Sequence, residues 1–212
     1  MKKHYFHTAW LCAMLTVSAG VAGLTSCSDD DDDTAPNEIT DSTVYGEYSG
    51  KMTTTLSGNE GEEAEPAVAD IKATVQNDSV NISDFPIKDI VTSVVGDANA
   101  AETIVEQLGP ISYSIGYEPT VSEAGDCISL AFNAEPLQLV LPLPSSEEDG
   151  EAQQLIIEVE VEAAENGMYT VADSNLKFGI TAQNVFLVVG EEKTALENFS
   201  PIKLDFDLEK VK

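Results

Sequence analysis

Ile202-Lys203-Leu204-Asp205-Phe206-Asp207-Leu208-Glu209 alternates apolar and charged residues without a break. A period of two puts every second side chain on the same side of an extended chain, so this stretch reads as a strand with one buried and one solvated face. Upstream, Leu155, Ile157, Val159 and Val161 alternate with Glu158, Glu160 and Glu162 in the same way. Leu137, Leu139, Leu141 and Leu143 repeat the pattern, although Pro142 and Pro144 cannot donate to a ladder and push that end to an edge. Leu176, Phe178 and Ile180 lead into the continuous apolar run Val185–Val189. Earlier strands are marked by Ile128, Leu130 and Phe132, by Ile111, Tyr113, Ile115 and Tyr117, by Val80 and Ile82, by Ala69, Ile71, Ala73 and Val75, and by Tyr48, Gly50, Met52, Thr54 and Leu56. About nine strands are predicted.

One segment departs from this period. Ile87, Ile90, Val91, Val94 and Val95 fall at helical spacing, with Pro86 suited to the first turn and Gly96 to the C-terminal end. Asp97 is placed to cap a second helix carrying Ala101, Ile104, Val105 and Leu108, which Gly109-Pro110 stops. A helical hairpin inserted among strands gives an α+β fold, mainly antiparallel β: a barrel or half-closed barrel, with a sandwich as the alternative.

The N-terminus has a different character. Lys2 and Lys3 precede an apolar stretch from about Thr8 to Gly23, shorter than the roughly 20 apolar residues a membrane-spanning helix needs, so it reads as a cleaved leader. Leu24-Thr25-Ser26-Cys27 is similar to the lipobox of bacterial lipoprotein signals, which implies cleavage before Cys27 and acylation of its thiol with palmitate-type chains. At about 0.8 kcal/mol per buried CH₂, several such chains hold a protein to a membrane. Ser28-Asp29-Asp30-Asp31-Asp32-Asp33 resembles the Ser-Asp-rich signal that sends Bacteroidota lipoproteins to the outer face of the outer membrane. The organisation expected is a leader over 1–26, an acylated cysteine and acidic tether over 27–42, and one β-rich domain over 43–212.

Removing the leader takes away both histidines, the single tryptophan and Cys12, and the chain has no arginine. Eight lysines then face 38 carboxylates, a side-chain balance of −30. So acidic a chain has no electrostatic affinity for nucleic acid. Nucleophilic hydrolysis on the serine or cysteine template loses its usual base, and transition metals lose their commonest ligand. Gly46-Glu47-Tyr48-Ser49-Gly50 has the look of a nucleophile elbow, but its serine is displaced relative to the glycines. Cys127 has no basic neighbour to activate it and reads as an inert half-buried thiol. Tyr113, Tyr117 and Phe132 are the ligand-binding candidates, as the lining of a barrel interior, with core packing as the favoured reading.

Two further stretches carry a resemblance. Val44-Tyr45-Gly46-Glu47-Tyr48-Ser49-Gly50-Lys51-Met52 and Asn81-Ile82-Ser83-Asp84-Phe85-Pro86-Ile87 make the chain similar to Bacteroidota surface lipoproteins of the domain-of-unknown-function family numbered 4840, with calycin-like barrel lipoproteins as neighbours. The resemblance carries over no catalytic residue. The function expected is a non-enzymatic lipoprotein on the outer membrane facing the cell exterior, without cofactor or metal. It would be attached through acyl chains on Cys27 and bind a small apolar ligand, a glycan or an outer-membrane protein. A structural or accessory subunit of an outer-membrane complex is the alternative, and a carboxylate-dependent hydrolase stands third. A deep apolar cavity would favour a ligand, and a flat apolar patch an accessory subunit of such a complex.

Overall fold

The computed structural model describes residues 39–56, 66–142, 154–163 and 165–212. The leader, Cys27, the Ser28–Asp33 run and Pro144 lie outside the described residues. Among those described, eleven strands form one sheet, all paired antiparallel. They are β1 (Gly46–Leu56), β2 (Ala67–Gln76), β3 (Ser79–Ile82), β4 (Tyr113–Val121), β5 (Cys127–Asn133), β6 (Leu137–Pro142), β7 (Gln154–Glu162), β8 (Gly167–Thr170), β9 (Asn175–Val189), β10 (Glu192–Ala195) and β11 (Ile202–Lys210). Eight of them, β1-β2-β3-β4-β5-β8-β9-β11, close on themselves because β11 pairs with both β9 and β1. The result is an up-and-down barrel, which leaves its own strands no free edge. The barrel expectation holds, and the sandwich does not.

The alternation decides which side chains enter the barrel. Tyr48, Met52, Ile71, Ala73, Ile115, Leu130, Leu176, Ile180, Leu204 and Leu208 are all buried, and eight strands enclose a space just wide enough for side chains to fill. Gly50 also falls on the inward parity of β1, where the neighbouring strand comes too close for a side chain: a Cβ there would meet the backbone of Asp207 and lie 2.8 Å from Leu208 Cα.

The short turns β2–β3, β4–β5 and β8–β9 gather at one end. There Asn77 and Asp78 take φ of 50° and 55° to join β2 to β3, and a single 3-10 turn, Asp41–Val44, sits beside the start of β1 with Val44 fully buried. The Tyr48 hydroxyl donates to the Val44 carbonyl at 2.5 Å, and Lys210 Nζ donates to the Thr43 carbonyl at 2.9 Å. Ile39 packs against the core, so the stretch read as tether already carries structure from this residue onward.

The insertions belong to the other end. Between β3 and β4 stand α1 (Lys88–Val95) and α2 (Ala98–Leu108), the expected hairpin. Gly96 ends α1 with φ 75°, and the Asp97 carboxylate accepts from Ala100 N at 2.8 Å. Ile90, Val91 and Ala101 bury the apolar stripes. β9 runs out of the barrel at this end. Its first half pairs with β8 and β11 and its second half with β7 and β10, while β6 pairs with β7 at the edge. At the junction Glu160 pairs with Asn184 but Val161 with Ala182, so Gln183 is an extra residue. This bulge reverses the parity of β9 as it leaves the barrel. A four-stranded sheet, β6-β7-β9-β10, thus projects from the barrel wall.

Candidate functional site

The barrel interior comes first, because three candidates from the sequence belong to it. Tyr117 and Phe132 meet edge to face at 6.0 Å between ring centroids. Phe132 continues to Phe178 at 4.8 Å, and Phe178 stacks on Phe206 at 4.4 Å with 7° between planes. Gly167 makes this ladder fit, since a Cβ there would lie 2.9 Å from Phe178 Cβ. Tyr113 is separate: its ring packs on Phe85 at 5.2 Å and its hydroxyl donates to the Glu135 carbonyl at 2.6 Å. All three candidates are engaged in packing. Burial holds the phenols of Tyr48, Tyr113 and Tyr117 well above the usual range, keeping them protonated. Tyr117 is 5% exposed and its buried hydroxyl has no hydrogen-bond partner among the described residues. Cys127 is a free, half-buried thiol.

The outer wall carries polar clefts. One of about 800 Å³ is lined by Lys51, Asp70, Lys72, Asp84, Asp207 and Glu209 among others, and Lys51 already pairs with Asp70 at 3.0 Å. A second, of about 580 Å³, lies over Gly179 beside Met168, Lys177 and Lys203. Lys177 is bound to Asp207 at 2.9 Å and Lys203 to Asp205 at 3.0 Å. Both clefts are open, and Lys51, Lys177 and Lys203 are already paired, while Lys72 of the first cleft has no ion pair among the described residues. Among the described residues, no three carboxylates or thiols converge as a metal site would need.

The projecting sheet is different. Its inner face buries Leu137, Leu139, Leu141, Ile157, Val159 and Val185 in the common core. On its outer face the registers align Val140 with Ile156, Ile156 with Val188, and Val188 with Lys193. Three β-branched side chains therefore stand side by side on a face that no other element among the described residues covers, and Val140 is 44% exposed. The next row is Gln138, Glu158, Phe186 and Ala195. Lys193 Nζ reaches back to it, 2.6 Å from Glu158 Oε1 and 4.1 Å from the centre of the Phe186 ring, while Gln138 Nε2 donates to the other oxygen of Glu158 at 3.3 Å. A flat apolar row bordered by ordered polar groups is the form of a protein-binding surface rather than of a small-molecule pocket.

These residues were missed as a site, yet the sequence carries their signal. Leu139-Val140-Leu141, Leu155-Ile156-Ile157 and Val185–Val189 are the places where alternation fails because the solvent position is apolar too. Strands apolar on both faces are expected between two layers; here the second layer is absent from the described chain.

No curated protein and no solved structure matches this chain. The family model described as "Domain of unknown function (DUF4840)" matches residues 43–187, from the 3-10 turn through most of β9; β11, which closes the barrel, lies beyond the matched stretch. With more than half its length matched, the chain belongs to the DUF4840 family of domains of unknown function.

Proposed function

We propose that this chain is a non-enzymatic, lipid-anchored module on the exterior of the outer membrane that binds a protein partner. A permanent partnership would make it an accessory subunit of an outer-membrane complex. The apolar row Val140-Ile156-Val188, exposed at Val140 and half-buried at Ile156 and Val188, is the observation that carries the reading, because contiguous solvent-accessible apolar surface on a sheet marks an interaction site. The aromatic ladder supports a protein partner over a ligand held within the barrel, since its rings pack on one another. Anchoring rests on Leu24-Thr25-Ser26-Cys27, and exterior placement on the aspartates after it.

The test takes the full chain in its native cell. A clickable fatty acid should label the wild type and not Cys27→Ala, and protease added to intact cells should digest the wild type but spare a variant with Asp29–Asp33 replaced by serine. Formaldehyde treatment of whole cells should shift the chain into an adduct with a second protein. Label on the Cys27 variant would remove the anchor, equal digestion of both forms would remove the export address, and the absence of any adduct would remove the binding role.

A further inference from the structure

We infer that the outer face of the projecting sheet receives a cationic amphipathic segment of a partner protein, apolar side chains meeting Val140, Ile156 and Val188 and lysines or arginines meeting the carboxylates below them. This rests on the binding role proposed above and specifies its partner. Along β7 the outward positions run Ile156, Glu158, Glu160, Glu162, so an apolar head is followed by a column of carboxylates toward the barrel. Among the described residues only Glu158 of these has a cation, Lys193, which is already held between that carboxylate and the Phe186 ring. Glu160 accepts from Asn184 Nδ2 at 2.9 Å, a neutral partner that orients the carboxylate without cancelling its charge. The surface is therefore apolar at one end and net negative at the other, and its complement is apolar and positive.

Other occupants fit less well. A second copy docked by two-fold symmetry would present the same patch and bring its glutamates near these, with −28 on each full chain opposing the approach. The chain's own N-terminal segment carries five consecutive aspartates and joins the fold beside the 3-10 turn, at the opposite end of the barrel from the projecting sheet.

A photo-crosslinking residue placed at Val188 in the full chain in its native cell tests this, with Lys51 on the barrel wall as the reference position. Val188 should give an adduct whose linked peptide, read by mass spectrometry, holds two or more lysines or arginines among apolar residues; Lys51 should give none. With the crosslinker at Val140, Ile156→Asp and Glu160→Gln should each lower the adduct yield several-fold while circular dichroism stays unchanged. An adduct from Lys51 alone would leave the binding role standing and overturn this inference. A Val188 adduct to a second copy or to an acidic peptide would also overturn it. No adduct from either position would overturn both.

Discussion

Gly50 and Tyr117 show what single residues contribute beyond the hydrophobic pattern. Gly50 keeps the β1–β11 seam closed by lacking a side chain, and the atoms a Cβ would meet are backbone and cannot swing aside. Gly50→Ala should cost about 3 kcal/mol, the upper range for forcing a methyl into a packed site. Urea unfolding would read this, with Ser49→Ala on the exposed face of the same strand near neutral; an unchanged midpoint for Gly50→Ala would refute the close approach. Tyr117 works in the other direction, because a buried hydroxyl without a partner costs about 1–3 kcal/mol. Tyr117→Phe should stabilise the protein by about 1 kcal/mol, and a lower midpoint would show that the hydroxyl has an acceptor. Neither effect was legible in the sequence. Gly50 occupies an inward position in the alternation, but nothing local says that β11 crosses there.

At the scale of elements, what could be read depended on how local the determining forces are. The helical hairpin was legible because caps and stripes lie within a few residues of one another: Gly96, Asp97 and Gly109 end or begin helices where expected. The strand expected from Ile111 begins instead at Tyr113, since the Ile111 carbonyl accepts from Phe85 N at 2.8 Å, a bond between the two ends of the helical insertion. β8 and β10 were missed although β3, equally short, was read: β8 has glycine at one of its two buried positions, and β10 is exposed throughout, so neither shows an apolar alternation. The bulge at Gln183 was equally hidden, yet it decides which side of β9 faces the core beyond the barrel. Deleting Gln183 should slip the register by one and drive Val185 and Leu187 outward, whereas Gln183→Ala should change little. Hydrogen exchange would report the difference: β6, β7 and β10 should lose protection in the deletion alone, and retained protection would show that the extra residue sets nothing.

For the molecule as a whole, closure separates a barrel from a sandwich, and closure is the pairing of strands far apart in the chain. The alternation of residues 202–209 predicted a strand but could not name β1 and β9 as its neighbours. Charge also acts at this scale. With 38 carboxylates against 10 lysines, screening self-repulsion with salt should raise the thermal midpoint at pH 7. Acid brings a second, opposing effect. The Asn175 amide and Lys177 hold the Asp207 carboxyl below its ordinary value of 3.8, so its contribution is present in full above that value and is lost as pH falls through the lower value of the folded state. Asp207→Asn should therefore lose less stability than the wild type between pH 5 and pH 3, and parallel losses would assign the acid sensitivity elsewhere. The arrangement of the two ends has a mechanical meaning. Residue 39 joins the fold where β1 begins, and β11 grips β1 in register from Tyr48–Lys210 to Leu56–Ile202. A pull at residue 39, resisted by a grip on the far sheet, loads this ladder lengthwise, so that its hydrogen bonds share the force and must shear together. A chain that entered at the other end would be peeled open one bond at a time.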